Sequence, residues 1–175
     1  VRMASESSGK AGQFCGGRGL VLGKFMPPHR GHQFLIEFAR QYVSSLTVLV
    51  CSLERDSIPG DLRCAWVREM FPQPEVRVVH ETRDLPQKPS DHPDFWAIWR
   101  QVILEAAPEG TDFFFASEDY GPKVADVIGA QYVEVDRPRE LIPISGTAVR
   151  LDPIRHWEML PECLRPYFVR RVCVF

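Results

Sequence analysis

Short apolar runs alternate with segments of helical period along most of this chain, and that alternation limits it to one kind of architecture. The runs are Leu20–Leu22, Leu46–Cys51, Val76–Val79, Asp112–Ala116 and Tyr132–Val135. Between the first two, Phe34, Leu35, Phe38, Ala39, Tyr42 and Val43 recur on one helical face. Leu62, Ala65, Trp66 and Met70 do the same after the second, behind a Pro59-Gly60-Asp61 turn and cap. Phe95, Ile98, Trp99, Val102, Ile103 and Ala106 mark a third helix, and Pro122–Gly129 a short fourth with Gly129 as its stop. A fifth starts at Gly146, where Ser145 can cap it. Leu46–Cys51 is apolar throughout, as a strand buried on both faces must be. The pattern implies an α/β fold, a parallel five-stranded sheet with helices on both faces. Ligands bind such sheets at the carboxyl ends of the strands, near the point where strand order reverses. With 175 residues, 45% hydrophobic and 25% charged, one domain with a sizeable core is expected, and disorder, collagen and coiled coil are excluded.

Net charge is −2 at pH 7 and the isoelectric point is about 6.2, which argues against a broadly basic nucleic-acid surface. No run approaches the roughly 20 apolar residues of a membrane span. Residues 1–18 are Gly/Ser-rich without an apolar segment, and read as a flexible leader lacking a secretory signal. The five cysteines, Cys15, Cys51, Cys64, Cys163 and Cys173, are scattered and show no metal spacing. Reduced thiols and a cytoplasmic location are the expectation.

The segment that carries most chemistry is Gly23-Lys24-Phe25-Met26-Pro27-Pro28-His29-Arg30-Gly31-His32, between the first strand and the first helix. Gly23 and Gly31 let backbone approach a ligand, and the prolines stiffen the loop. His32 falls at a helix start, where free amides and the dipole favour an anion. His29 and His32 can converge on one point. With Lys24 and Arg30 they form a compact phosphate cradle. An isolated H-x-x-H is more often incidental; its place after the first strand reverses that reading. No third ligand stands at zinc spacing, so no resident metal site is expected. The loop is neither G-x-G-x-x-G nor G-x-x-x-x-G-K-[ST], which argues against a dehydrogenase or a P-loop kinase. The second segment, Ile144-Ser145-Gly146-Thr147-Ala148-Val149-Arg150, gathers two hydroxyls and helix-start amides, with Arg150 one turn along. Taken alone it is equally a capped helix; beside the first loop it reads as the site of a second group of phosphates.

The first segment resembles the G-x-F-x-P-x-H-x-G-H signature of the nucleotidyltransferase superfamily, and the second its I-S-x-T-x-x-R signature. Both occur in order, with about the usual separation. Roughly residues 19–175 look most like the nicotinamide-nucleotide adenylyltransferase domain of NadR-type proteins. Softer support comes from Cys51-Ser52 with Arg55-Asp56, Ile58–Arg63, the Trp96/Trp99 pair, Ser117–Gly121 and the tail from Arg155 to Phe168. The resemblance implies a Rossmann-like HxGH nucleotidyltransferase fold over 19–170. It also implies transfer of the adenylyl group of ATP, with Mg²⁺, to nicotinamide mononucleotide, giving NAD and pyrophosphate. His29, His32, Lys24 and Arg150 would be catalytic. Gly23, Phe25, Gly31, Ser145, Thr147 and Arg150 would hold the ATP phosphates. ATP and the mononucleotide are the expected partners, without nucleic acid or membrane; a homo-oligomer is compatible with the sequence.

Trp99 lies on the apolar stripe, and core packing is its default role. Trp96 lies off it, and its indole face suits a flat pyridinium cation. Ser117, Glu118 and Asp119 follow the fourth strand, where they could meet ribose or adenine or form a solvated loop. Arg63, Arg137 and Arg139 are candidate phosphate contacts, although each taken alone reads first as surface charge. Val169–Phe175 reads as basic residues followed by a new apolar strand, and 171–175 as the start of a further domain. In NadR-type proteins such a strand leads into a ribosylnicotinamide kinase; no P-loop occurs in this sequence, so kinase activity is not expected. Two alternatives stay open. One is a sister transferase with another phosphate acceptor, such as nicotinate mononucleotide or pantetheine phosphate. The other is a non-catalytic module that senses NAD or ATP.

Overall fold

The computed structural model describes residues 16–172. The leader lies almost wholly outside that range, as do residues 173–175. Five parallel strands form one sheet in the order β3-β2-β1-β4-β5. They are β1 (Arg18–Gly23), β2 (Ser45–Cys51), β3 (Val76–Glu81), β4 (Phe113–Ala116) and β5 (Gln131–Glu134). The connecting helices are α1 (Arg30–Tyr42), α2 (Gly60–Met70), α3 (Phe95–Ala106) and α4 (Gly121–Ile128). Beyond β5 come α5 (Gly146–Leu151), two 3₁₀ turns, and α6 (Arg165–Val172).

Alternation along the strands builds two cores. Val21, Val48, Val50 and Phe115 face α1 and α2, where they meet Ile36, Ala39 and Val67. Leu20, Leu49 and Phe114 face the other way, onto Val102 and Ile103 of α3 and Val124 of α4. A third cluster sets Ile144 and Val149 of the α5 region against Ile58, Trp66, Leu160 and Leu164. That packing fixes the second phosphate segment relative to α2. The leader boundary moves: Arg18 belongs to β1, pairing with Ser45, and its guanidinium grips Asp112 at 2.8 Å. At the other end Val169–Val172 continue α6, so no strand opens at Val172.

Strand order reverses at β1, whose neighbours are β2 and β4. The loops leaving β1 and β4 therefore diverge, and a crevice opens above their carboxyl ends.

Candidate functional site

The loop from β1 to α1 forms one wall of that crevice. Its backbone is unusual at Phe25, which has φ +48° and is buried to 1% exposure. A left-handed conformation in a bulky residue is an outlier, held here by burial in the core under α1. A cis bond joins Met26 to Pro27. His29 is the N-cap of α1: its Nδ1 accepts from the His32 amide at 3.4 Å. In the neutral ring the remaining proton is then on Nε2, which makes His29 a donor. The two imidazoles stack with centroids 3.8 Å apart. Gly31 lies beneath the His29 ring, and a Cβ there would come within 3.1 Å of Nδ1. Burial pushes the His29 pKa down to about 4, with the Arg139 cation adding to the effect. His32 is lowered well below its ordinary value by burial, then by His29 and Arg139. Its Nδ1 is buried without a hydrogen-bond partner.

The opposite wall is the start of α5. Ser145 caps it, accepting from the Ala148 amide at 3.2 Å, as its sequence position implied. Thr147 Oγ1 accepts from Arg150 Nη2 at 3.1 Å, and Arg150 Nη1 donates to the Met26 carbonyl. Gly146 is what lets the two walls close, since a Cβ there would stand 2.8 Å from the Met26 carbonyl oxygen. The cavity between them has a volume of about 340 Å³. His29, His32, Ser145, Thr147 and Arg150 all line it, as do Gly23, Lys24, Phe25 and Gly31.

The β4 loop supplies part of the floor. Ser117 and Glu118 line the cavity; Asp119 does not, and pairs with Arg137 at 2.7 Å. The Ser117 hydroxyl donates to the Val135 carbonyl, and Glu118 holds Arg139 at 2.9 Å. Arg139, Tyr120, Asp136 and Ile142 also face the cavity. The motif reading passed over Asp136 and Ile142, which are brought in only by the path of the chain after β5.

Arg63 requires a correction. It is neither a substrate contact nor surface charge, because its exposure is 0%. Its guanidinium donates to the carbonyls of Lys24 and Cys51, where β1 and β2 end, and to Asp56 at 2.8 Å. Asp56 also holds Lys24 Nζ at 3.2 Å. Burial alone would raise the Asp56 carboxyl; the Leu53 amide with Lys24 and Arg63 keeps it below its ordinary range. The tryptophans are also redistributed. Trp96 packs edge-on to Phe95, with Lys123 Nζ 6.0 Å from its ring centre. Trp99 instead lines a second, smaller cavity at the ends of β2 and β3, which shares Lys24 with the first.

A parallel sheet whose reversal-point crevice gathers two imidazoles, two helix-start hydroxyls and an arginine defines a phosphate-handling α/β domain of the nucleotidyltransferase kind. The chain belongs to the cytidylyltransferase-like family, whose profile matches residues 20–152. Among curated relatives it is similar to the trifunctional NAD biosynthesis/regulator protein NadR of Escherichia coli, 28% identical over 174 residues. The Salmonella typhimurium NadR is 26% identical over 173 residues, and each alignment covers 89% of this chain and 42% of the relative. The chain thus spans under half the length of these proteins. Among solved structures it resembles a NadR protein in complex with NAD and AMP-PNP (TM-score 0.66, 23% identity, 85% of this chain and 46% of that one). It also resembles a Francisella tularensis bifunctional NMN adenylyltransferase/ADP ribose pyrophosphatase complexed with AMP and Mn ion. There the TM-score is 0.59 and identity 17%, over 77% of this chain and 40% of that one. At these identities the two solved structures establish the shared fold.

Two outcomes follow from the buried charges. Removing the Arg63 side chain leaves a carboxylate that is 6% exposed with one of its two cationic partners gone, and strips the Lys24 and Cys51 carbonyls of their donor. Arg63→Ala should therefore cost about 3–5 kcal/mol in urea unfolding, against at most ~1 kcal/mol for Arg137→Ala on the surface. His29 has a folded pKa of about 4 against 6.5 ordinarily, so the unfolded chain binds the extra proton in that window. Its contribution is fully present above pH 6.5 and is lost as pH falls towards 4. His29→Asn keeps an N-cap acceptor without titrating there. It should flatten the fall in unfolding free energy across the window by up to about 1.4 kcal/mol per pH unit.

Proposed function

We propose that this domain transfers the adenylyl group of ATP to nicotinamide mononucleotide, forming NAD and releasing pyrophosphate. The observation that carries the reading is the single cavity of about 340 Å³ onto which both phosphate segments open. The names of the NadR relatives and the nucleotides in the neighbouring structures support it.

An oxygen of the acceptor's 5′-phosphate attacks the α-phosphorus of ATP. The bond from that phosphorus to the bridging oxygen breaks, and the electron pair leaves with pyrophosphate. Such a reaction asks the protein for positioning and charge stabilisation rather than a nucleophile. His29 Nε2–H and His32 donate to the α-phosphate as its charge grows, and the orphaned Nδ1 of His32 gains a partner when a polar group enters. Ser145 and Thr147 each spend lone pairs within α5 and keep a hydroxyl proton to give to the β- and γ-phosphates. Arg150 stabilises the departing pyrophosphate. Lys24, on the wall shared by both cavities, lies between the two substrates. Magnesium enters with ATP. Among the described residues no three His, Cys, Asp or Glu side chains gather into a cage, and an ion held chiefly by substrate phosphates needs none. The pyridinium ring is read beside Trp99 rather than Trp96, because Trp99 is the tryptophan on a cavity wall; that cavity, about 10 Å³, takes an edge of the ring and leaves its body at the mouth.

The test is incubation with ATP, Mg²⁺ and the mononucleotide, following dinucleotide and pyrophosphate together. Formation of both is expected; nucleotide binding without pyrophosphate would leave only a sensing module. His32→Ala and Arg150→Ala should each lower kcat about 10²- to 10³-fold, since each removes a preorganised donor. An unchanged kcat would remove that residue from the chemistry. Trp99→Ala should weaken mononucleotide binding about 2- to 30-fold by titration, from the loss of a cation–π contact worth ~0.5–2 kcal/mol. Trp96→Ala should leave that affinity near the wild-type value.

A further inference from the structure

The cations on the wall of the phosphate cavity, Lys24, Arg139 and Arg150, all have partners, and those partners differ in how firmly they hold. Arg150 donates to the Met26 carbonyl and to Thr147 Oγ1, within the two phosphate segments. Lys24 is held by Asp56, whose carboxylate is 6% exposed and is also gripped by Arg63. Arg139 is paired with Glu118, Nη2 to Oε1 at 2.9 Å, and that carboxylate is half exposed. Both members of this last pair line the cavity.

The backbone beneath the pair is fixed. Arg139 has φ +56° and Asp136 φ +47°, a left-handed conformation that is costly for residues with a side chain and that clusters at functional sites. Asp136 holds this turn closed, its two carboxylate oxygens accepting from the amides of Leu141 at 3.1 Å and Ile142 at 3.0 Å. The Arg139 amide donates to the Asp136 carbonyl at 2.9 Å. On the facing loop the Gly121 amide donates to the Glu118 carbonyl at 3.0 Å, and the Ser117 hydroxyl ties the loop to the Val135 carbonyl. Asp136 also lines the cavity, but its carboxylate is engaged by amides. Freedom to change partners is thus left to the side chains of Arg139 and Glu118. The Arg139 charge acts on both His29 and His32, so it reaches the place where a phosphate would meet those rings.

We infer that Glu118 is an exchangeable counter-ion, which holds Arg139 until a polyphosphate takes the guanidinium over and so sets the affinity of the cavity for polyphosphate. The inference rests on the adenylyl-transfer reading for its ligand. Arg139 exchanges one anionic oxygen for another, and water replaces the guanidinium on the half-exposed Glu118. An exposed ion pair contributes little and is easily broken, whereas arginine against phosphate oxygens is a strong charge-assisted contact. Asp56 cannot release Lys24 in the same way, because a buried carboxylate has no water to turn to. As pyrophosphate departs, Glu118 stands ready to take Arg139 back.

The experiment is a calorimetric titration with inorganic tripolyphosphate, run beside the transfer assay, on wild type, Glu118→Gln, Arg139→Gln and the double variant. Both side chains are partly exposed, so neither substitution opens the core. Glu118→Gln should tighten binding at least about 2-fold, and Arg139→Gln should cost about 2- to 5-fold more affinity in the Glu118→Gln protein than in wild type, as an exposed ion pair lost on binding requires. Equal costs in the two backgrounds make Glu118 a distant repelling charge and overturn the exchange. No cost in either leaves Arg139 on Glu118 throughout and overturns it as well. Asp119→Asn removes the same charge one position along, from a side chain that pairs with Arg137 and does not line the cavity. It should leave the affinity near wild type, and tightening equal to that of Glu118→Gln overturns the exchange. Dinucleotide formation with equal costs ends the exchange alone. Unequal costs without dinucleotide formation support the exchange and end the transfer reading. A wild type that does not bind tripolyphosphate overturns the exchange whatever the transfer assay gives.

Discussion

A guanidinium with no exposure to solvent sits where β1 and β2 end, and the rest of the site is built outward from it. Arg63 caps the last carbonyls of both strands at the level of Lys24 and Cys51, and neutralises Asp56 beside them. Carbonyls at the carboxyl edge of a parallel sheet need partners once the ladder stops. Satisfying them with a buried side chain keeps water out from under the β1–α1 loop. The loop can then turn through Phe25 at positive φ and deliver His29 to the N-cap of α1. Burying a charge is costly unless it is paired and hydrogen-bonded. Asp56 meets that requirement, and by holding Lys24 as well it draws the ammonium onto the wall between the two cavities.

The electrostatics of the larger cavity follow the same economy. Arg139 and Arg150 already face it, and two further fixed cations beside them would repel. Burial keeps His29 and His32 neutral at pH 7, so the imidazoles supply donors without adding charge. An arriving polyphosphate changes that environment and favours the protonated rings. On the proposed reaction the imidazoles would thus respond to the anion they meet. A lysine in the same place would be charged before the substrate came.

The elements that the sequence revealed share a physical property: their causes are local. Strand and helix alternation is written in periodicities of a few residues. The caps at His29 and Ser145 act within one turn, and the close approach at Gly146 belongs to a motif already marked by its neighbours. The missed features depend on contacts between elements. Arg63 falls in a helix start that looks exposed on paper, and only the ends of two strands bury it. Ser52, just past β2, hydrogen-bonds His80 of β3, 28 positions away, and no spacing rule joins them to Asp61, which His80 meets through its other nitrogen. Trp99 was assigned to the core by its stripe and does pack there. Helix geometry also turns its indole edge to a loop carbonyl and a cavity. Trp96, chosen for lying off that stripe, had its ring occupied by Phe95 and Lys123.

Two cavities with one shared lysine suggest why a sheet edge suits a two-substrate reaction. The phosphate cavity opens between β1 and β4, while the small one lies over β2 and β3. Neighbouring parallel strands sit roughly 4.8 Å apart, so the two steps from β3 to β1 span about 10 Å. On the proposed reaction, a mononucleotide with its base over β3 would bring its phosphate to β1, where Lys24 and the imidazoles are. The sheet acts as a ruler. The Lys24–Asp56–Arg63 cluster ties together the strand ends on which the two cavities open.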